Sequence, residues 1–252
     1  MPATAPPPAE TSPAEAAPVD KSGDRVRDMF AQISGRYDLM NHTLSGGVDV
    51  WWRRVTVKTV APATSGPLAG RPILDACCGT GDLAIAYAKA TDAPVIGTDF
   101  THEMLTLAGD KQPSGRRVTY AEADTQRLPF ASDTFQIVSV AFGLRNVSDT
   151  DAGLRELTRV TAPGGRVAVL EFSRPRGAVM ARVYPLYFKH VLPRIGQFFV
   201  KNNRDAYEYL PESVGQFPDG EALCDRMRAA GLREVTHRPM TFGVCTLYVG
   251  RK

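Results

Sequence analysis

The fold of this chain is decided by the stretch Ile73-Leu74-Asp75-Ala76-Cys77-Cys78-Gly79-Thr80-Gly81-Asp82. Its first five residues form a short apolar run that predicts a buried strand, and the pattern of residues 83–90 predicts the helix that follows. Glycines at such a junction let a ligand approach the backbone closely, and the first turn of the helix offers free N–H groups. The stretch therefore predicts a binding loop at the end of a strand.

The loop is compatible with two kinds of cofactor. A dinucleotide fold places a pyrophosphate on a G-x-G-x-x-G loop, and here Ala84 stands at the third glycine position, a tolerated variant. The pattern D-x-x-x-G-x-G that begins at Asp75 is instead the usual S-adenosylmethionine loop of class-I methyltransferases. The turn at 162–165, Ala-Pro-Gly-Gly, and a closing antiparallel hairpin also favour a methyltransferase over an NAD dehydrogenase.

The rest of the chain alternates short apolar runs with helical patterns. The predicted strands after the first are Val95–Asp99, Val118–Glu122, Phe135–Phe142 and Arg166–Phe172, with Val235–His237 and Val244–Val249 as the closing pair. The predicted helices between them are Glu103–Ala108, Asp151–Thr161 and Glu221–Ala230. This alternation predicts an α/β fold with a mostly parallel sheet of seven strands and an antiparallel C-terminal hairpin, the Rossmann-like fold of class-I methyltransferases.

Three acids follow three successive predicted strands. Asp75 ends the first strand, Asp99 the second, and Asp124 comes shortly after the third. Ligands of open α/β sheets bind at the carboxyl ends of the strands, and a carboxylate at the second strand can hold both ribose hydroxyls. We therefore expect these acids to form a cofactor site with Gly79 and Gly81, with Asp124 near the adenine edge.

Composition limits the other possibilities. The net charge of +3 gives no reason to expect a nucleic-acid partner. The four cysteines include no C-x-x-C pair, so no zinc site is predicted. No apolar run reaches the about 20 residues needed to span a bilayer, so any membrane contact is expected to be peripheral. No secretory or transit signal is visible, which predicts a cytoplasmic protein.

The predicted domain organisation is simple. Residues 1–21 are rich in Pro and Ala and are expected to be disordered, and residues 22–252 are expected to form one domain. Two parts of that domain stand outside the alternating pattern: an N-terminal helical flap at 22–60 and a lid-like insertion at 175–210. The insertion carries aromatic and basic residues, and Pro175–Arg204 contains no Asp or Glu. Such a segment suits a cover over an isoprenoid tail near anionic headgroups, although core packing with a solvated basic face explains it equally well.

Several longer motifs resemble the C-methyltransferase family of menaquinone and ubiquinone biosynthesis. The two most specific motifs are YDLMNHTLS at 37–45 and FGLRNV at 142–147. Further matching pieces are PGGRVAVLEFS at 163–173, HVLPRIG at 190–196 and YEYLPES at 207–213. The resemblance covers the chain from about Val26 to the C-terminus.

The resemblance implies transfer of a methyl group from S-adenosylmethionine to the ring of a prenylated demethylmenaquinol, or to the matching benzoquinol of ubiquinone synthesis. It adds Thr80 and Thr125 to the cofactor residues Asp75, Gly79, Gly81, Asp99 and Asp124. Methylation of another small acceptor, or lipid binding without catalysis, remains an alternative at this stage. The expected partners are a lipid quinol and the membrane surface.

The expected catalytic residues are Tyr37, Asp38, Asn41, Arg145 and Asn146. The first three would form a flap over the pocket, although Asp38 and Asn41 also suit the capping of a helix end. Arg145 would stabilise the developing quinolate or orient a water, and a salt bridge to a nearby acid is its structural alternative.

The general base is not identified by sequence. Asp49 and His190 are candidates by residue type alone. The chain also departs from the family pattern at three positions. Asp49 stands where the family commonly has His, Ala141 where it often has Ser, and Ala162 where it commonly has Lys.

Overall fold

The computed structural model describes residues 23–36, 38, 42, 45–112, 118–175 and 205–252. Its centre is one seven-stranded sheet in the order β3-β2-β1-β4-β5-β7-β6. The strands are β1 Ile73–Ala76, β2 Val95–Asp99, β3 Val118–Glu122, β4 Phe135–Ala141, β5 Thr161–Phe172, β6 Arg233–Met240 and β7 Cys245–Arg251. Neighbours from β3 to β5 pair in parallel, whereas β7 runs antiparallel to both β5 and β6. The predicted fold class is confirmed.

Helices cover the sheet on both faces. They are α1 Gly23–Ile33, α2 Val48–Val60, α3 Asp82–Ala90, α4 His102–Asp110, α5 Thr150–Val160, α6 Asp205–Gln216 and α7 Glu221–Ala229. Three short 3-10 turns complete the described elements: Ser34–Arg36, Leu144–Asn146 and Thr241–Gly243. Helices α2 and α3 share one buried apolar cluster with the sheet, and α5 and α7 share the other.

The central strands are mostly apolar because both sheet faces are buried. Residues 135–140 of β4 are all buried, and so is all of β1. Two of the buried residues in β4 are polar. Gln136 accepts from the Ala63 amide and donates to the Arg71 carbonyl. Ser139 Oγ lies 2.6 Å from Oη of the buried Tyr87. This hydrogen bond ties α3 to the middle of the sheet without leaving either hydroxyl unsatisfied.

Two features of the fold differ from the sequence prediction. Strand β5 begins at Thr161, so the predicted Pro-Gly-Gly turn lies inside the strand as an irregularity in its pairing with β4. Only glycine fits at Gly165, because a Cβ there would lie 2.8 Å from the carbonyl oxygens of Ala162 and Gln136. Helix α6 was not predicted, and it begins within the end of the proposed insertion.

Several predictions fall outside the described residues. They include the disordered tail, most of the lid-like insertion, Tyr37, Asn41 and His190. Among the helices that the structure does describe, none combines the length and hydropathy required to cross a bilayer.

Candidate cofactor and substrate site

The site lies where the strand order reverses. β1 has β2 on one side and β4 on the other, so the chain leaves the ends of β1 and β4 in opposite directions and opens a crevice between them. The residue after each strand adopts a left-handed backbone conformation, with φ of 50° at Cys77 and 58° at Phe142. Such conformations are strained for residues other than glycine, and they often mark functional sites.

Asp75 connects the end of β1 to the start of α3. Its Oδ2 accepts a hydrogen bond from the Ala84 amide at 2.9 Å, so the acid holds the first turn of α3. Its Oδ1 is buried and has no hydrogen-bond partner among the described residues. Burial raises the pKa of Asp75 to about 8. A buried carboxylate with an unpaired oxygen beside the loop fits a cationic group such as the ammonium of a bound methionine moiety.

Asp99 joins the first two loops of the site. Its Oδ2 accepts from the Gly79 amide at 2.8 Å, and its Oδ1 accepts from the Thr101 amide at 2.9 Å. Burial raises the pKa of Asp99, and the two amides act in the opposite direction. The predicted proximity of Gly79 and Asp99 is therefore observed, with the carboxylate also serving the loop backbone.

A cleft of about 770 Å³, part of it open to solvent, lies above these residues. Four of the seven predicted cofactor residues line it, namely Gly79, Asp99, Asp124 and Thr125, and helix α1 supplies an additional wall. Asp124 is exposed and accepts from the Gln126 amide at 2.8 Å. Asn146 lines the opposite side. Walls from α1, from the acid-bearing loops and from the end of β4 are consistent with an elongated cofactor lying across the strand ends.

The N-terminal segment reaches the glycine loop through Asp38. The Thr80 hydroxyl donates to Asp38 Oδ1, and Lys111 Nζ donates to Asp38 Oδ2 at 2.7 Å. The same ammonium also donates to Asp82. Asp38 therefore connects the N-terminal segment to the glycine loop through its hydrogen bond with Thr80.

Arg145 forms a buried ion pair. Its Nη1 lies 2.8 Å from Glu171 Oε1 at the end of β5, and it also donates to the carbonyl of Phe142. The side chains of Arg145 and Glu171 are only 7% and 1% exposed. The structure thus shows the salt bridge that was the alternative for Arg145. Sequence reasoning did not single out Glu171, although it lies within the matched 163–173 motif.

Asn146 is the neighbouring predicted residue that faces the cleft. Its Nδ2 donates weakly to the Phe142 carbonyl at 3.5 Å, and its buried Oδ1 has no hydrogen-bond partner among the described residues. A buried acceptor without a partner is costly unless a ligand satisfies it. Asn146 is therefore better placed than Arg145 to contact a bound molecule.

A model of the ubiE/COQ5 methyltransferase family matches residues 19–252. The chain belongs to the ubiE/COQ5 methyltransferase family. As a member of this family it is a methyltransferase with S-adenosylmethionine as its cofactor. The Asp75 carboxylate and the cleft described above are in keeping with that cofactor.

Relatives in the ubiE/COQ5 family match the chain over nearly its whole length. The demethylmenaquinone methyltransferase of Deinococcus radiodurans is 44% identical over 91% of this chain and 93% of its own. The ubiquinone/menaquinone biosynthesis C-methyltransferase of Geobacter sulfurreducens is 43% identical over 92% of this chain and 90% of its own. A solved S-adenosylmethionine-dependent methyltransferase of Thermotoga maritima, a possible histamine N-methyltransferase, shares the fold with a TM-score of 0.62. It is 19% identical and covers 90% of this chain and 99% of its own.

The structure accounts for one departure from the ubiE/COQ5 family pattern. Asp49 stands where the family commonly has His, and its Oδ2 lies 2.8 Å from Nδ1 of His42. Ser45 donates to the other oxygen of Asp49 at 2.7 Å, and Arg53 also contacts this acid. Burial raises the pKa of Asp49, but these hydrogen bonds and the guanidinium charge outweigh it and hold the pKa below its usual value. An imidazole is therefore present in this region, supplied by His42.

His42 also connects Asp49 to the glycine loop. Its Nε2 lies 3.9 Å from Asp82 Oδ2, and Arg53 Nη2 lies 3.6 Å from the same oxygen. Arg53 and Asp82 line a small cavity next to Asp75 and Phe142. Sequence reasoning missed His42 and Arg53 as site residues. Three titratable residues within a twelve-residue stretch, His42, Asp49 and Arg53, were the available signal.

Proposed function

We propose that this protein C-methylates the ring of a reduced, prenylated demethylmenaquinone in menaquinone biosynthesis, with S-adenosylmethionine as methyl donor. The observation that carries the proposal is the near full-length match to a demethylmenaquinone methyltransferase at 44% identity. Two similar matches at 41% identity carry the same name.

The donor supplies a sulfonium methyl group, and the chain supplies alignment and activation of the acceptor. Asp75 would neutralise the ammonium end of the donor, and Asp99 would hold its ribose. Alignment of the two reactants can lower the barrier by several kcal/mol, about 7–11 at the limit. In this scheme, the left-handed turns at Cys77 and Phe142 set the two walls between which the reactants meet.

The acceptor ring would lie against the turn after β4. The unpaired Oδ1 of Asn146 can accept a hydrogen bond from one quinol hydroxyl. Arg145 then acts as a positioning residue, since its pairing with Glu171 and with the Phe142 carbonyl fixes this turn. Its guanidinium also lies 5.5 Å from the centre of the Phe172 ring.

A ring carbon becomes nucleophilic when the neighbouring hydroxyl loses its proton. Asp49 is poorly suited to accept that proton, because its pKa is lowered and Ser45, His42 and Arg53 already contact it. His42 is the better candidate, since Asp49 takes only its Nδ1, and its Nε2 lies 3.9 Å from Asp82 Oδ2, beyond hydrogen-bond distance. A carboxylate on one ring nitrogen fixes the tautomer that leaves the other nitrogen basic.

The proposed location is the cytoplasmic surface of the membrane, where a prenylated quinol is held. Exposed apolar side chains and exposed cations on α2 support this location. The equivalent benzoquinol of ubiquinone synthesis is the second candidate substrate, because the Geobacter sulfurreducens relative is named for both pathways.

A methyl-transfer assay tests the function. Purified protein receives labelled S-adenosylmethionine with reduced demethylmenaquinone in one reaction and the reduced demethylated benzoquinone in another, both in detergent. We expect label on a ring carbon of the naphthoquinol. Faster labelling of the benzoquinol would move the assignment to ubiquinone synthesis, and labelling of neither lipid would reject the quinol assignment.

A further inference from the structure

Large apolar side chains are exposed at only one set of positions in the described part of the chain. Val50 and Trp51 at the start of α2 are 39% and 47% exposed, and Phe242 in the turn between β6 and β7 is 78% exposed. Single exposed apolar residues need no explanation, but a group of them beside a ligand site does.

The three residues lie at the same end of the fold. Trp52 Nε1, next to Trp51, donates to Thr241 Oγ1, next to Phe242, at 2.9 Å. The turn at Thr241–Gly243 leads into β7, whose first residue pairs with the last residue of β5. Both segments are thus at the carboxyl edge of the sheet, where the cofactor loop also lies. The exposed apolar residues therefore lie at the same edge of the sheet as the site.

The exposed Phe242 has a strained backbone conformation. Its φ of 57° lies in the left-handed region, which a bulky side chain seldom adopts. The preceding residue, Thr241, also has a positive φ, of 47°. The backbone of Phe242 is strained and its ring is exposed, so this residue does not evidently stabilise the fold. These two properties together point to a role in binding.

Two exposed cations accompany the apolar residues on α2. Arg54 and Lys58 follow Trp51 by three and seven residues, so all three lie on one face of the helix. Both cations are exposed, and neither forms a salt bridge with any residue that the structure describes. Aromatic rings beside Arg and Lys are the side chains that favour the headgroup region of a bilayer with anionic lipid.

We propose that Val50, Trp51, Arg54, Lys58 and Phe242 form a docking surface for an anionic lipid bilayer, called here the docking patch. This inference rests on the proposed function, because a lipid quinol must be taken from a membrane. It goes further by naming the residues and by placing the exposed face of α2 and the turn between β6 and β7 against the lipid. The quinol then enters the cleft from the bilayer without crossing water.

The course of the chain supports this orientation. Ser173 Oγ donates to the carbonyl of Gly243 at 2.8 Å, and the Ser173 amide donates to the carbonyl of Val244 at 3.0 Å. Ser173 therefore lies beside the turn that carries Phe242. In sequence, residues 176–204 combine five Phe and Tyr residues with Arg and Lys and contain no Asp or Glu. This composition resembles that of the docking patch.

Vesicle binding tests the proposal without substrate or methyl transfer. Phosphatidylcholine vesicles with and without phosphatidylglycerol are mixed with the full chain and sedimented. We expect binding that needs the anionic lipid. The double variant Trp51→Ser/Phe242→Asn should bind at least ten-fold more weakly, and Arg54→Gln/Lys58→Gln should lose most of the dependence on anionic lipid. Asn tolerates the left-handed backbone at position 242, so folding is expected to be retained.

Tryptophan fluorescence adds a residue-level measurement. The chain has two tryptophans, and Trp52 is buried while Trp51 is exposed. Brominated lipid should quench the wild-type emission on vesicle binding, whereas Trp51→Phe, which leaves only Trp52, should show little quenching. Arg155→Gln/Arg226→Gln is the charge-matched control, because these exposed arginines lie on α5 and α7 and should not affect binding.

Three results would overturn the docking patch: no binding of the wild-type chain, equal binding of the patch variants, or a dimer that the Trp51→Ser/Phe242→Asn variant converts to a monomer. The last would assign the surface to a second copy of the chain.

A short-tailed quinol in solution distinguishes failure of this proposal from failure of the proposed function. Patch variants should methylate it at the wild-type rate, whereas failure of every variant and of the wild type on any quinol would reject the function and leave the binding result standing.

Discussion

Arg145 and Glu171 form an ion pair of 2.8 Å that links the turn after β4 to the end of β5, and both side chains are almost fully buried. The pair lies directly beside the cleft, under the turn that carries Asn146. A buried charge without its partner costs far more than an exposed one, because neither water nor a counter-ion compensates it. The pair therefore fixes the wall of the site through electrostatics.

Removal of one partner is expected to be strongly destabilising. Glu171→Gln leaves the Arg145 guanidinium buried without its counter-charge and should lower the free energy of unfolding by about 3–5 kcal/mol. Urea denaturation of the cofactor-free protein measures the change. The double variant Arg145→Met/Glu171→Leu should recover much of the loss. A cost below about 1 kcal/mol for Glu171→Gln would show that the guanidinium is solvated after all.

The pKa of Asp75 predicts how stability depends on pH. Its value of about 8 in the folded protein lies above the usual value near 3.8, so between these values the folded state holds a proton that the unfolded state has lost. Stability from this group is present at low pH and is lost as pH rises toward 8. The melting temperature of the cofactor-free protein should fall from pH 5 to pH 8, and Asp75→Asn should flatten the slope.

The flattening is expected to be partial, because burial also raises the pKa of Asp99 and acts in the same direction. Binding of S-adenosylmethionine should show the opposite trend in the wild type. A cationic ligand favours ionised Asp75, so affinity should increase as pH rises toward 8, with release of a proton detectable by calorimetry in buffers of different ionisation enthalpy. An affinity that is independent of pH would place the ammonium elsewhere.

Asp38 is expected to contribute to cofactor retention. It receives hydrogen bonds from Thr80 in the glycine loop and from Lys111 in the turn after α4. Asp38→Asn should raise the KM for S-adenosylmethionine by about ten-fold, equivalent to roughly 1.4 kcal/mol, with a smaller change in kcat. Asp92→Asn, the same change at an exposed position between α3 and β2, serves as the surface control. A change in kcat alone would instead indicate direct participation in the chemistry.

His42 is expected to affect the chemical step. His42→Gln should lower kcat by about 10²-fold or more, while the KM for S-adenosylmethionine stays within about two-fold. Asp49→Asn keeps a hydrogen-bond acceptor for His42 Nδ1 but removes the charge, so it should lower kcat by a smaller factor. An unchanged kcat in both variants would assign the pair to holding the N-terminal segment only.

The sequence predicted the sheet well, and the reason is local. Strands β2 and β3 were predicted with their observed bounds, because each is a short run rich in β-branched or aromatic residues between helical patterns. The start of β5 was misjudged because Pro-Gly-Gly is turn chemistry in isolation. Pairing with β4 accommodates it as an irregularity, which no local pattern reveals. Helix α6 was missed for a similar reason, since Pro211 argues against a helix in the sequence.

Some features of the site were likewise predictable from local sequence, and others were not. Sequence by itself determined the fold class, the glycine loop and the three acids at successive strand ends, because residue type and spacing along one chain suffice for these. Tertiary structure alone decided that Arg145 pairs with Glu171, that His42 pairs with Asp49, and that the patch of exposed rings lies beside the site. The physical reason is that hydrogen bonds and ion pairs depend on distances of a few ångströms between elements that are remote in sequence, and only the packed fold fixes those distances.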